Sequence, residues 1–182
     1  EALDRLFGTF LDAGGNVFDT AHCYCCWLPD GAGASERALG ELVRRFGVRD
    51  RVVIATKGGH PSLRPYLERP DYYISPETIA ADLDDSLARL GLDRVDLYFL
   101  HRDDARVPVG EIVELLNAEI ARGRVRYLGA SNWPVARIEE ANAYAAAHGL
   151  QGFAASQPQF SLAQGNVVPG PDPTLRTLAP AD

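Results

Sequence analysis

Apolar residues recur along the chain at two alternating spacings. In five segments they fall three or four positions apart, which is the helical spacing, and a glycine lies at or near the end of most of these segments. Short runs of apolar and β-branched residues separate them, a pattern typical of buried strands. The predicted helices include Leu3–Leu11, Leu39–Phe46, Ile79–Leu90, Ile112–Ile120 and Val135–Ala145; the predicted strands are Asn16–Phe18, Val52–Thr56, Val95–Leu100, Val125–Ala130 and Phe153–Ser156. This alternation predicts a parallel sheet with right-handed helical crossovers.

Two of the helices have a predicted start. Ser35 is the expected N-cap of the second helix, which Gly47 ends. The run Ser75-Pro76-Glu77 opens the third helix with a cap, a proline in the first turn and an acid near the positive end.

Two architectures fit five parallel strands. A doubly wound sheet should begin with a strand and, if it bound a dinucleotide, carry Gly-x-Gly-x-x-Gly after it. This chain begins with a helix, and Glu36 stands where the third glycine of Gly31-Ala32-Gly33 would belong.

A (β/α)8 TIM barrel needs eight strands and about 250 residues. We therefore expect an incomplete barrel of about five of the eight units over residues 1–157, with the first strand and the last two strands missing, and a proline-rich loop or tail over 158–182. The doubly wound sheet is the alternative.

Composition excludes several function classes. The 182 residues carry a net charge of -7 with a pI of about 5.1, which gives no electrostatic support for nucleic-acid or anionic-membrane binding. No apolar run approaches the roughly 18 residues of a membrane-spanning helix. The chain begins at Glu1 and contains no methionine, which suggests a piece of a longer protein. The oligomeric state is left open.

The three cysteines form one cluster, His22-Cys23-Tyr24-Cys25-Cys26. An odd, clustered set is not a disulfide framework, so a reducing cytoplasm fits best. Zinc sites usually draw on a second pair of ligands elsewhere in the sequence, and no second cysteine pair exists here. We expect free thiols and no metal site.

Lysine occurs once among the eighteen lysine and arginine residues, at Lys57, directly after a predicted buried strand. Arginine cannot replace lysine where a compact ammonium must approach one group closely, so this position suggests chemistry. Polar residues follow the other predicted strands too: Asp19, His101, Ser131-Asn132 and Gln157. In a barrel the carboxyl ends of the strands converge on the face that holds the active site.

These residue types form a set that can deliver a proton to a carbonyl group. Tyr24 follows Asp19 by five residues, in the loop above the first strand. An ammonium beside a phenol favours its ionised form, and a carboxylate holds the ammonium charged. A histidine such as His101 can polarise a carbonyl oxygen. Serine, asparagine and glutamine can bind a carboxamide. Singly, each residue also has an ordinary structural use as a cap, a turn residue or a packed aromatic ring.

The motifs resemble those of the aldo-keto reductase family over nearly all of Glu1–Gln157. Asp19-Thr20-Ala21-His22-Cys23-Tyr24 is similar to the Asp-Thr-Ala-x-x-Tyr motif of the family, and Ser35-Glu36-Arg37-Ala38-Leu39-Gly40 is similar to the Ser-Glu-x-x-x-Gly that follows it. Thr56-Lys57, Leu100-His101 and Gly129-Ala130-Ser131-Asn132-Trp133 match later strand-end signatures in family order.

The resemblance implies hydride transfer between a nicotinamide and a small-molecule aldehyde, ketone or sugar-like carbonyl. It implies that Tyr24 is the general acid, that Lys57 and Asp19 tune it, and that His101 orients the carbonyl. Ser131, Asn132 and Gln157 would hold the nicotinamide carboxamide, with Asp19 also near the cofactor. NADPH is the expected cofactor, and NADH is not excluded. Trp27 and Trp133 are candidates for the substrate pocket. The alternative is a non-catalytic nicotinamide-binding relative or an inactive fragment.

Overall fold

The computed structural model describes residues 1–159 and Leu175. The predicted tail over 158–182 falls almost wholly outside these residues and stays a prediction. Helices and strands alternate in the described part, with one 3-10 turn, Arg49–Arg51, before β2. Their bounds are α1 Ala2–Asp12, β1 Val17–Asp19, α2 Ala34–Phe46, β2 Val53–Gly58, α3 Pro76–Leu90, β3 Val95–Leu100, α4 Val109–Ala121, β4 Val125–Ser131, α5 Val135–His148 and β5 Phe153–Gln157. The predicted alternation is confirmed.

The five strands form one parallel sheet in the order β1-β2-β3-β4-β5. A doubly wound sheet reverses its strand order at a switch point, and this sheet never reverses. The alternative architecture is therefore wrong, and the chain forms an incomplete (β/α) barrel.

The curvature of the sheet is visible in one hydrogen bond. β1 and β5 lie at opposite edges, four strand spacings apart, which would be about 19 Å in a flat sheet. Gln157 at the end of β5 nevertheless donates from Nε2 to Oδ2 of Asp19 at the end of β1, over 3.3 Å. The carboxyl ends of all five strands therefore curl around a shared space.

The hydrophobic core lies between the sheet and its helices. Ile54, Leu83, Leu116 and Leu128 have almost no exposed surface, and they come from two strands and two helices. This burial explains the helical spacing seen in the sequence. Among the described residues, no helix combines the length and the apolar character needed to cross a bilayer.

One of the two predicted caps is correct. Ser75 caps α3 by accepting a hydrogen bond from the backbone N–H of Thr78. Ser35 does not cap α2, because the helix begins after Gly33, which adopts a left-handed conformation at φ 69°. The hydroxyl of Ser35 instead shares a 2.8 Å hydrogen bond with Thr20. It thereby ties α2 to the loop that follows β1.

Candidate active site

The structure gathers the predicted site residues at one end of the sheet. Asp19 is the last residue of β1, Lys57 is the second-last of β2, and His101 directly follows β3. Ser131 and Gln157 end β4 and β5 and are aligned with each other in the sheet. Because all the strands are parallel, their final residues reach the same edge.

Lys57 is at the centre of this edge and is only 1% exposed. Its Nζ donates to Oδ2 of Asp19 at 2.5 Å, to the backbone carbonyl of Thr20 at 2.9 Å and to the phenol oxygen of Tyr24 at 3.1 Å. An ammonium has three donors, and each has an acceptor here. A flat guanidinium on a longer side chain would not fit this enclosed three-acceptor geometry.

Backbone hydrogen bonds position the phenol of Tyr24. The loop after β1 is joined to β2 by the N–H of His22, which donates to the carbonyl of Lys57 at 2.9 Å. A tight turn follows, in which the N–H of Tyr24 donates to the carbonyl of Ala21. The ring of Tyr24 then meets the ring of His101 edge-to-face at 5.7 Å between centroids. Tyrosine, lysine, aspartate and histidine are thus brought together as the sequence predicted.

His101 is 6% exposed, and its environment opposes a positive charge. Burial above all, and then the neighbouring cationic or titratable groups, hold its pKa well below the usual 6.5; these neighbours are His60, Arg102, Lys57 and His22. Its Nδ1 lies 3.5 Å from Sγ of Cys23. Burial also raises the pKa of the Cys23 thiol, to about 12. The imidazole is therefore neutral at physiological pH, and the thiol beside it keeps its proton.

Ser131, Asn132 and Gln157 form a second polar group beside this centre. The Ser131 hydroxyl donates to the carbonyl of Gln157 at 3.1 Å and accepts from Nδ2 of Asn132 at 3.0 Å. Asn132 has a φ of 59°, a left-handed conformation that asparagine tolerates better than most residues. One hydroxyl and two amides supply both donors and acceptors, as a carboxamide ligand requires. The donor set therefore fits the nicotinamide that the resemblance implies.

A buried ion pair lies behind Lys57. Glu36 on α2 has no exposed surface, and it accepts a 2.7 Å hydrogen bond from the hydroxyl of Thr56. Its other oxygen accepts from Arg89 on α3 at 3.2 Å. Glu36 thus holds Thr56 in place, and Thr56 is the residue directly before Lys57 in β2. The sequence motif Ser35-Glu36 pointed to this position without indicating what the carboxylate binds.

A second buried carboxylate, Asp82, was not predicted. It accepts from the backbone N–H of Gly59 at 2.9 Å and forms an ion pair with Arg69. Nε2 of His22 lies 3.6 Å from Oδ1 of Asp82, the same oxygen that pairs with Arg69. Asp82 occupies the apolar face of α3, between Ile79 and Leu83, and an acid at such a position is the signal that could have identified it.

The two tryptophans have different environments. Trp27 is 51% exposed in the loop that carries Tyr24. Trp133 is 3% exposed and belongs to the core, where its ring packs edge-to-face on Phe153 at 5.0 Å. Only Trp27 is therefore accessible to a substrate in this structure.

The sequence of the chain matches the Aldo/keto reductase family over residues 1–170. A 6-dehydroglucose reductase of Novosphingobium aromaticivorans is 35% identical over 158 residues, which cover 86% of this chain and 49% of that protein. A norsolorinic acid reductase of Aspergillus flavus is 32% identical over 162 residues, covering 87% of this chain and 40% of that protein.

One relative with the same percentage identity as the 6-dehydroglucose reductase is named as a channel subunit. A probable voltage-gated potassium channel subunit beta of Oryza sativa subsp. japonica is 35% identical over 156 residues, covering 83% of this chain and 43% of that protein. The chain thus spans less than half the length of these curated relatives.

Proposed function

Because the chain belongs to the aldo/keto reductase family, an oxidoreductase family that acts on carbonyl compounds, we propose that it reduces an aldehyde, ketone or sugar-like carbonyl to the alcohol with NADPH, NADH being the alternative donor. Reductase names among the relatives support the reaction class. The three free cysteines support a reducing compartment such as the cytoplasm.

The observation that carries this proposal is the set of three hydrogen bonds made by Lys57. Because the ammonium donates to the phenol oxygen of Tyr24 at 3.1 Å, the phenol O–H is directed elsewhere and can donate to a carbonyl oxygen. When Tyr24 gives up this proton, its negative charge forms next to a fixed positive charge. Asp19 holds the ammonium in place at 2.5 Å. Tyr24 is accordingly the general acid.

His101 supplies the second donor to the carbonyl oxygen. The protonated thiol of Cys23 can donate to Nδ1 of His101, 3.5 Å away. That bond leaves the proton of the neutral imidazole on Nε2. The N–H at Nε2 then orients the carbonyl without introducing a positive charge that would compete with Lys57.

The remaining site residues bind and orient the reactants. Ser131, Asn132 and Gln157 hold the carboxamide of the nicotinamide, and Asp19 accepts from Gln157 beside it. The nicotinamide, when bound, supplies the hydride that the carbonyl carbon accepts. Trp27 lines the substrate pocket.

The test is NADPH consumption, followed by absorbance, with a panel of simple aldehydes. Tyr24→Phe is expected to lower kcat by about 100- to 10,000-fold, which is the usual contribution of a general acid, while cofactor binding is retained. Tyr72→Phe removes a hydroxyl from an exposed tyrosine outside the site and is the matched control. Equal turnover by the chain and by Tyr24→Phe would show that another group is the acid.

A second candidate function is a nicotinamide-binding regulatory subunit. The similarity to a probable potassium channel subunit beta favours it, because that relative is as similar as the first reductase. NADPH binding detected by fluorescence, together with no turnover of any aldehyde by either the chain or Tyr24→Phe, would support this function over the first.

A further inference from the structure

Cys23, His60 and His101 form a buried cluster that the proposed reaction uses only in part. One potential ligand atom from each lies within 4.8 Å of the other two. The three residues are between 3% and 6% exposed. They come from the loop after β1, the segment after β2 and the end of β3. Their distance in the sequence is why ligand spacing alone gave no reason to expect a metal site.

One of the distances agrees with the bond lengths of a tetrahedral zinc site. Bonds of about 2.3 Å to sulfur and 2.0–2.1 Å to nitrogen place a sulfur and a nitrogen ligand about 3.5 Å apart, and two nitrogens about 3.3–3.4 Å apart. Sγ of Cys23 and Nδ1 of His101 are 3.5 Å apart. All three ligand atoms lie within 4.8 Å of one another, so the widest separation needs to shrink by at most about 1.4 Å for the cluster to close around a cation.

His60 is already oriented as metal-binding histidines commonly are. Its Nδ1 lies 2.8 Å from the carbonyl oxygen of Pro61, which can only accept, so Nδ1 carries the proton. When the ring is neutral, Nε2 therefore carries the lone pair that a metal needs. A backbone carbonyl that fixes the outer nitrogen is a usual feature around zinc ligands. The rings of His60 and His101 meet edge-to-face at 4.7 Å.

We propose that Cys23, His60 and His101 bind a zinc-like divalent cation through one sulfur and two nitrogen atoms, leaving a fourth position for water. On binding, the S–H bond of Cys23 breaks, its proton passes to solvent, and its electron pair forms the bond to the metal. No oxidation or reduction takes place. The nearby cations Lys57 and Arg102 oppose the added charge, so we expect weaker binding than at a structural zinc site.

The consequence for carbonyl reduction rests on the function proposed above. Closing the cluster moves His101 or its neighbours, and a displacement of about 1 Å in a catalytic group can lower the rate about 100-fold. It also removes the thiol proton that fixes the tautomer of His101. Occupancy of the site by the cation is therefore inhibitory.

The metal site is tested by titrating the chain with Zn²⁺ against a chromophoric chelator, and with Co²⁺ to detect a thiolate-to-metal charge-transfer band. Cys23→Ser should abolish the band, and both Cys23→Ser and His60→Gln should raise the Kd for Zn²⁺ by about 100-fold or more, since even outer-shell changes cost 10- to 100-fold. Cys26→Ser and His22→Gln are matched controls outside the cluster and should bind like the unmodified chain. Circular dichroism confirms that each variant is folded.

The outcomes distinguish a failure of the proposed metal site from a failure of the proposed reductase function. A missing cobalt–thiolate band, or equal Zn²⁺ affinity in all the variants, would overturn the metal site whether or not the chain is a reductase. If turnover is measurable, Zn²⁺ should inhibit the chain and Cys26→Ser alike, a chelator should restore the rate, and His60→Gln should need about 100-fold more Zn²⁺. Binding without inhibition would refute the inhibitory role. Absence of turnover would bear only on the proposed function, because the binding measurements do not depend on it.

Discussion

Replacement of Arg89 by methionine should destabilise the protein more than the partial exposure of the arginine side chain would suggest. Arg89 is the cation that pairs with Glu36, at 3.2 Å, and the Glu36 side chain is fully buried. Arg89→Met keeps most of the side-chain length and leaves the carboxylate with the hydroxyl of Thr56, at 2.7 Å, as its remaining hydrogen-bond partner among the described residues. The substitution therefore strands a charge in the protein interior.

The magnitude follows from the burial of each partner. Removing one member of a buried ion pair typically costs 3–5 kcal/mol. Because the Arg89 side chain is 19% exposed, water can partly replace it, and we expect the low end, about 3 kcal/mol. Glu36→Gln should cost only about 1 kcal/mol, since Arg89 keeps Asp85 at 2.9 Å and the carbonyl of His22 at 3.2 Å. The double variant should be more stable than Arg89→Met alone, because no buried charge is left unpaired.

Urea-induced unfolding measures these differences, with far-UV circular dichroism and the fluorescence of the buried Trp133 as probes. Arg45→Met is the matched control, because it removes an ion pair with Asp4 of similar length, 2.8 Å, whose side chains are 51% and 29% exposed. That control should lose no more than about 1 kcal/mol. If Arg89→Met and Arg45→Met lose the same free energy of unfolding, Glu36 is not a buried charge that needs Arg89. If the double variant is less stable than Arg89→Met, the reasoning is also refuted.

Two further predictions concern Lys57 and Tyr98. Lys57→Met should lower kcat/KM for aldehyde reduction by about 100- to 1,000-fold, the usual loss when one fixed donor to a developing negative charge is removed. In the Tyr24→Phe background the same change should have little effect, and an equal loss in both backgrounds would show that Lys57 does not act through Tyr24. Tyr98 is fully buried, its hydroxyl has no hydrogen-bond partner among the described residues, and burial raises its pKa well above 10. Above pH 10 the unfolded chain loses this proton while the folded chain keeps it, so stability falls by up to about 1.4 kcal/mol per pH unit. Tyr98→Phe should be at least as stable at pH 7 and should lose less stability in urea titrations at pH 10–11, and unchanged pH dependence would contradict this explanation.

Much of the candidate site could be predicted because the strand ends are easy to locate in this sequence. A polar residue directly after each apolar run marks where each parallel strand stops, and in such a sheet the stopping points converge. Asp19, Lys57, His101, Ser131 and Gln157 were therefore predicted to meet, and they do. Tyr24 was found through its short distance from Asp19, since a side chain in the loop after a strand stays near the end of that strand. The one wrong cap, Ser35, failed because Gly33 can take the left-handed conformation that begins α2 two residues earlier.

The sequence by itself determined the alternation of helices and strands, the family that its motifs resemble and the identity of the polar strand ends. These depend on periodicity and on neighbours close in sequence. Only the tertiary structure decided that the sheet curls until Gln157 reaches Asp19, that Glu36 and Asp82 are buried charges, that Trp133 belongs to the core, and that Cys23 lies beside His60 and His101. Each of these depends on contacts between residues far apart in sequence, whose distances are fixed by how the helices pack on the curved sheet and not by any local pattern.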